Sequence, residues 1–185
     1  PLPDFTPADY EALPEHVRRL LQIAGAGREI FDPAHHRRER ALHLARCEYM
    51  DRQVGRILEA LRDSGLERDT VLLFTADHGE NFGEHGLWGK MNFYQEAQRV
   101  PLLVRAPGAP PAVVSGRVSL IDVLSTLAAL AGRPVPFPVD GLSFAPALRG
   151  EPAPRGEDGL LFSEYHGYRS AGSAYMVLKD RWKYC

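Results

Sequence analysis

The sequence predicts an α/β fold with antiparallel strands added at its C-terminal end, and three observations predict it. The run Val71–Phe74, VLLF, is short, wholly apolar and bounded by polar turns, the pattern of a strand covered on both faces as in a parallel sheet. A second run of the same kind, Val100–Val104, comes one loop later, and helical patterns stand before the first and after the second. The last stretch, AYMVLKDRWKYC, reads as a hairpin.

In chain order, residues 1–35 are Pro-rich and irregular, with one short helical candidate near Glu15–Ala24. From about Pro33 to Ser64, Met50, Val54, Ile57, Leu58 and Leu61 recur at spacings of three and four. That is one face of a helix, and Arg and Glu fill the other. Gly65 stands where a helix end wants a positive φ. After the Val71–Phe74 strand and its loop, Val100–Val104 is the second strand, ended by the Pro107-Gly108 turn. Pro101 speaks against a central position for its first residues. SLIDVLSTLAALAG gives a helix closed by Gly132, and RPVPFPVDG is a Pro-rich surface connection. Gly159–Tyr165 is a third strand, and the final hairpin turns at Asp180-Arg181. Tyr175, Trp182 and Tyr184 are expected to pack within that hairpin. There is no internal repeat and no low-complexity tract.

The 185 residues suffice for one domain with a sizeable core, and 44% hydrophobic with 25% charged residues is ordinary globular composition. A formal net charge of −2, with no basic arm, argues against nucleic-acid and membrane-surface partners. No apolar run is long enough to span a bilayer. The two cysteines, Cys47 and Cys185, form neither a disulfide framework nor a metal motif. The chain begins at Pro1 without an initiator Met and ends inside what reads as an unfinished strand pair, so it is expected to be a piece of a longer protein. Periplasmic, secreted, lysosomal and cytoplasmic locations all stay open.

The chemistry concentrates in TVLLFTADHGENFGEHGLWGK, Thr70–Lys90. Ligands of open α/β sheets gather outside the carboxyl ends of strands, and Asp77 and His78 fall at such an end. A carboxylate and an imidazole there are reasonable ligands for a divalent cation. On its own, the dipeptide also reads as a loop with a capping acid. Gly79 lets the backbone turn away. Gly86 and Gly89 permit a tight path, and Trp88 anchors the loop by burial. Lys90, if the loop returns it to the metal, would be an anion contact that could neutralise a sulfate or phosphate oxygen or the leaving oxygen. His85 can add a hydrogen bond or donate a proton. Glu80 and Glu84 read as solvated loop acids, and His35-His36 in HHRRER as a wet helix start. Tyr94, His166 and Tyr168 are candidates for lining a substrate pocket, with a plain loop role open for His166.

TADHGENFGEHGLWGK followed by RVPLLVRAPG resembles the sulfatase family of the alkaline-phosphatase-like superfamily. MDRQVGRILEALRDSGLERDT, SLIDVLSTLAALAG, DGLSFAPALRG, SEYHG and DRWKY match in order, from about residue 40 to the end. Lys90 stands at the family's spacing from His78. Asp-His in place of Asp-Asn is similar to the iduronate-sulfatase, choline-sulfatase and phosphonate-monoester-hydrolase types. The resemblance implies part of a mixed, mainly parallel sheet flanked by helices, with a C-terminal antiparallel hairpin. It implies that residues 1–150 are the C-terminal portion of the catalytic domain and 151–185 the start of an antiparallel region. Asp77 and His78 would then bind Ca2+, or Mn2+ in the phosphonate-ester branch. Lys90, with His85, would serve the chemistry on a small-molecule or saccharide sulfate ester.

The sequence departs from the family at the nucleophile. Sulfatases convert the Cys or Ser of a C-x-P/A-x-R motif to formylglycine, whereas Cys47 is followed by Glu48, Tyr49, Met50 and Asp51, and Ser64 runs SGLER. The formylglycine and the remaining acidic metal ligands are therefore expected in an N-terminal part outside these residues, and the chain alone is expected to be inactive. A phosphonate or phosphate ester hydrolase of the same superfamily and a non-catalytic module of the fold are the alternatives.

Overall fold

The computed structural model describes residues 5–23, 32–167 and 173–185. They gather in two compact units. The first holds α1 (Pro7–Ala12), α2 (Glu15–Ile23), α3 (Pro33–Asp63) and residues 78–100. The second holds residues 68–77, 101–166 and the C-terminal strands.

In the first unit, α1 begins where Thr6 and Asp9 cap each other reciprocally and Pro7 pre-sets the first turn. This T-x-x-D signal lies inside the stretch expected to be irregular. Helix α3 starts at Asp32, whose carboxylate accepts the N–H of Ala34 at 2.8 Å, and ends before Gly65 at φ 74°. Its expected apolar stripe is only partly covered: Met50 and Ile57 are 56% and 62% exposed, while Val54, Leu58 and Leu61 are half-buried. The small core of this unit comes from Val17, Leu21 and Leu87 instead, with Tyr10, Leu13 and Tyr94 against it. Two very short strands, β2 (Asn81–Phe82) and β3 (Trp88–Gly89), pair antiparallel and frame a tight hairpin, and the single turn α4 (Gln95–Gln98) follows.

In the second unit, β1 (Leu72–Thr75) pairs with β4 (Leu102–Arg105), Leu72 opposite Arg105 and Thr75 opposite Leu102. The pairing is antiparallel. The parallel neighbours expected for the VLLF run are not found among the described residues, because a wholly apolar run signals burial of both faces and carries no strand direction. Pro101 sits just outside β4, where its carbonyl accepts the Thr75 hydroxyl at 2.8 Å. Helix α5 (Asp122–Leu130) ends in a Schellman arrangement: Gly132 N–H donates to Ala129 and Arg133 N–H to Ala128, with Gly132 at φ 63°.

One buried polar knot ties α5 to the segment after it. Asp122 and Thr126 are fully buried. The Asp122 carboxylate takes both nitrogens of the Arg155 fork and the N–H groups of Ser119 and Leu142. Thr126 donates to the Asp122 carbonyl and accepts from Phe144 N–H. Strands β5 (Leu161–Tyr165), β6 (Ala174–Lys179) and β7 (Trp182–Tyr184) form an antiparallel meander. Its last turn is at Asp180 (φ 48°) and Arg181, as expected. Tyr175, Trp182 and Tyr184 do not pack inside it; they are 57%, 55% and 61% exposed, because a lone three-stranded sheet has only its own narrow faces to offer them. No helix among the described residues is long and apolar enough to cross a membrane.

Candidate functional site

Strand β1 delivers the chain to Asp77, which is exposed, and the next residue, His78, is half-buried. The peptide bond between them joins the two units' segments. His78 Nδ1 lies 2.8 Å from the carbonyl oxygen of Gly79. A carbonyl only accepts, so Nδ1 carries the hydrogen, and in the neutral ring Nε2 carries the lone pair. Metal-ligating histidines commonly have this orientation, with the second nitrogen donating to a backbone carbonyl.

Gly79 is required here for closeness rather than for a positive φ. A Cβ on it would stand 1.9 Å from the Glu96 carbonyl oxygen and 2.9 Å from its carbon, and the Gly79 N–H donates to Ala97 O at 2.9 Å. Three or more His, Cys, Asp or Glu side chains placed to hold a metal are not found among the described residues. The chain supplies two adjacent donors of suitable type, and a divalent cation needs further oxygen ligands to complete its shell.

The β2–β3 hairpin carries the other two predicted residues. Its path needs Gly83 at φ 94°, Gly86 at 68° and Gly89 at 89°, and His85 itself sits at φ 55°. His85 stacks on Tyr94 with ring centroids 4.1 Å apart and interplanar angle 18°. Its Nε2 lies 3.7 Å from a Glu96 carboxylate oxygen. That makes Tyr94 a support for His85. Lys90 follows β3 directly; it is exposed and makes no side-chain hydrogen bond or ion pair among the described residues. The fully buried Asn81 fixes the residue before it, donating from Nδ2 to Gly89 O at 2.5 Å.

Three expectations about this region are corrected. Glu84 is not a solvated acid: it accepts Phe82 N–H at 2.6 Å and pairs with Arg40 Nη1 at 2.7 Å. Burial pushes its carboxyl up, but the Phe82 and Glu84 amides and Arg40 together hold it below its ordinary value of 4.5. Glu80 is half-buried. His36 is not at a wet helix start: it is 4% exposed, with its ring 5.3 Å from Trp88, and His35 meets the same indole at 5.4 Å. The expectations for Glu84 and His36 failed because Arg40 and Trp88 reach them from distant sequence. Trp88 does anchor the loop, against His35, His36 and Phe82.

His166 is exposed; its Nε2 meets Glu164 at 2.8 Å and its Nδ1 the Ser173 hydroxyl at 2.7 Å, and Tyr175 packs edge-on to it. Tyr168 lies outside the described residues. Arg40, Asn81, Glu84, Asp122 and Arg155 were not singled out as functional or structural anchors by sequence.

Two family models match the chain. The sulfatase model covers residues 5–133, and the model for the C-terminal region of N-sulphoglucosamine sulphohydrolase covers residues 83–185. A choline-sulfatase of Rhizobium meliloti (strain 1021) is 43% identical over 96 residues, which is 52% of this chain and 19% of that one. Arylsulfatase K of Gallus gallus is 40% identical over 154 residues, 80% of this chain and 29% of that one. The structure of the phosphonate monoester hydrolase SpPMH from Silicibacter pomeroyi superposes over 99% of this chain and 41% of its own, with a TM-score of 0.84 and 29% identity. The chain thus spans less than a third of the length of the two curated relatives. Between them, the two family models extend over the strand end, the hairpin and the polar knot.

Proposed function

The chain belongs to the sulfatase family, with its alkaline-phosphatase-like fold, and we propose on that footing that it is the C-terminal part of the catalytic domain of a sulfuric-ester hydrolase. In this reading residues 1–150 complete the catalytic α/β domain and residues 151–185 begin the antiparallel region. The observation that carries it is the sulfatase match over residues 5–133, which contains Asp77, His78, His85 and Lys90 together.

Asp77 and His78 are the metal ligands of this chain, and the orientation of His78 on Gly79 O supports that assignment. They would hold a divalent cation, calcium in this reading, which when bound would supply Lewis-acid polarisation of the ester. Lys90 sets an ammonium against the ester's bridging oxygen, where negative charge grows as the bond to sulfur breaks. His85, held by Tyr94 and facing Glu96, offers a hydrogen bond or a proton at Nε2. The nucleophile is a formylglycine outside these residues, so residues 1–185 alone turn over no ester. Substrates are sulfate esters of small molecules or saccharides.

The test is made on the full-length protein. Asp77→Ala should lose the tightly bound cation and most activity on an aryl sulfate; unchanged metal content and turnover would remove Asp77 from the site. The SpPMH likeness favours a second reading, a phosphonate or phosphate ester hydrolase with manganese. Preference for an aryl phosphonate over an aryl sulfate, with manganese in the purified protein, would select it.

A further inference from the structure

We propose that Arg40 is a positioning residue for Lys90, acting through Glu84 and the β2–β3 hairpin. This rests on the role given to Lys90 above. Helix α3 turns His36, Arg40 and His43 toward one side, at the i, i+4, i+7 spacing of a single helical face. All three meet the hairpin. His36 lies against Trp88, His43 lies on Phe82 at 3.8 Å, and Arg40 Nη1 reaches both Glu84 Oε1 at 2.7 Å and Phe82 O at 3.3 Å. Glu84 returns its second oxygen to Phe82 N–H at 2.6 Å.

The peptide groups around Phe82 are thus bracketed by one ion pair. Phe82 is the register partner of Trp88, and Asn81 that of Gly89, so what holds Phe82 also fixes the backbone that leads into Lys90. On its other side the hairpin is seated by Leu87 on Val17 and Leu21, and by Gly86 against the Phe5 ring, where a Cβ would stand 1.9 Å away. Stability alone does not account for the seam with α3. Trp88 Nε1 and His36 Nε2 are buried in it with no hydrogen-bond partner among the described residues, and such atoms cost free energy. One guanidinium nitrogen, Nη1, serves the carboxylate and the carbonyl at once, from a planar group whose reach and shape an ammonium does not reproduce.

The experiment uses the full-length protein with Arg40→Ala, Arg40→Lys, Lys90→Ala and the Arg40→Ala/Lys90→Ala double variant. It reads turnover of 4-nitrophenyl sulfate, metal content, and amide exchange at Gly83, Gly86 and Leu87. Arg40→Ala should lower kcat on the order of 10–100-fold, the usual effect of removing a group that orients a site residue. KM should stay within about threefold, because the loss falls on the transition state. Metal content should not change. Hairpin amides should exchange faster while those of α5 and β6 do not. Arg40→Lys should recover only part of the loss. Lys90→Ala should cost far less in the Arg40→Ala background than in the wild type, since one residue works through the other.

Additive losses, an Arg40→Ala kcat within about twofold of wild type, or faster exchange spread evenly over the protein would each overturn the proposal. If Arg40→Ala does not fold, Glu84→Gln breaks the same pair from the other end and meets the same criteria. A wild-type protein with no turnover of sulfate or phosphonate esters would remove the enzymatic reading above. The exchange arm would still decide whether Arg40 sets the hairpin.

Discussion

Gly79→Ala is the sharpest perturbation the geometry offers, because a single methyl meets only backbone. The added Cβ would stand 1.9 Å from Glu96 O, whereas ordinary carbon–oxygen approaches are about 3.3–3.6 Å. One strand of the contact must therefore move by about 1.4 Å, and neither Glu96 O nor the Ala97 Cα at 3.3 Å is the flexible end of a side chain. The displacement breaks the Gly79 N–H to Ala97 O bond, worth about 0.5–1.5 kcal/mol. Overpacking adds about 1–3 kcal/mol. Destabilisation of about 1.5–4.5 kcal/mol follows. The activity loss should be larger than that figure suggests. His78 precedes Gly79 directly, and its ring is oriented by the Gly79 carbonyl. A misplacement near 1 Å costs on the order of 10²-fold in rate. The assay is metal content, melting temperature and kcat of the full-length variant at a temperature where it is folded. Wild-type metal content with kcat within about twofold would refute the link between the 79–97 contact and the His78 donor.

Three more outcomes are expected. Lys90→Ala should lose about 10²–10³ in kcat on an aryl sulfate while keeping its metal, and Lys90→Arg should not restore it fully; steady-state kinetics with metal analysis decides. Arg155→Ala should destabilise by about 3–5 kcal/mol in denaturant titration, because it leaves the fully buried Asp122 carboxylate with backbone donors only. The Glu84 carboxyl is held below 4.5 in the fold, so its contribution is complete above that pH and is lost as pH falls through the lower folded value. The melting-temperature gap between wild type and Glu84→Gln should accordingly stay constant above pH 4.5 and shrink in more acidic solution.

Local signals carried much of the fold. The VLLF run, the 3.6-residue periodicity before it, and the glycines at positions 65, 108 and 132, all at positive φ, gave β1, α3, the 107–108 turn and the end of α5 from adjacent residues. Long-range partners carried the rest. Arg155 reaches Asp122 across 33 positions, and Arg40 reaches Glu84 across 44, and no spacing rule points from one to the other. His36 carries no mark of burial in a basic stretch, because the indole that meets it, Trp88, comes from far later in the chain. The direction of β1 against β4 was equally silent, since apolarity is the same read either way. Near the candidate site, the strand that ends before Asp77 and His78 was legible from its apolar run. The supports of the hairpin were not.

The two-sided grip on the hairpin also bears on when it forms. Its own strands hold only two residue pairs, too few to persist alone. Order there waits for α2, which supplies Val17 and Leu21, and for α3, which supplies Arg40. Closing those loops costs entropy before any contact is returned. Lys90 should thus become fixed among the last events of chain collapse, and a newly made chain passes through a stage with helices present and Lys90 still unplaced.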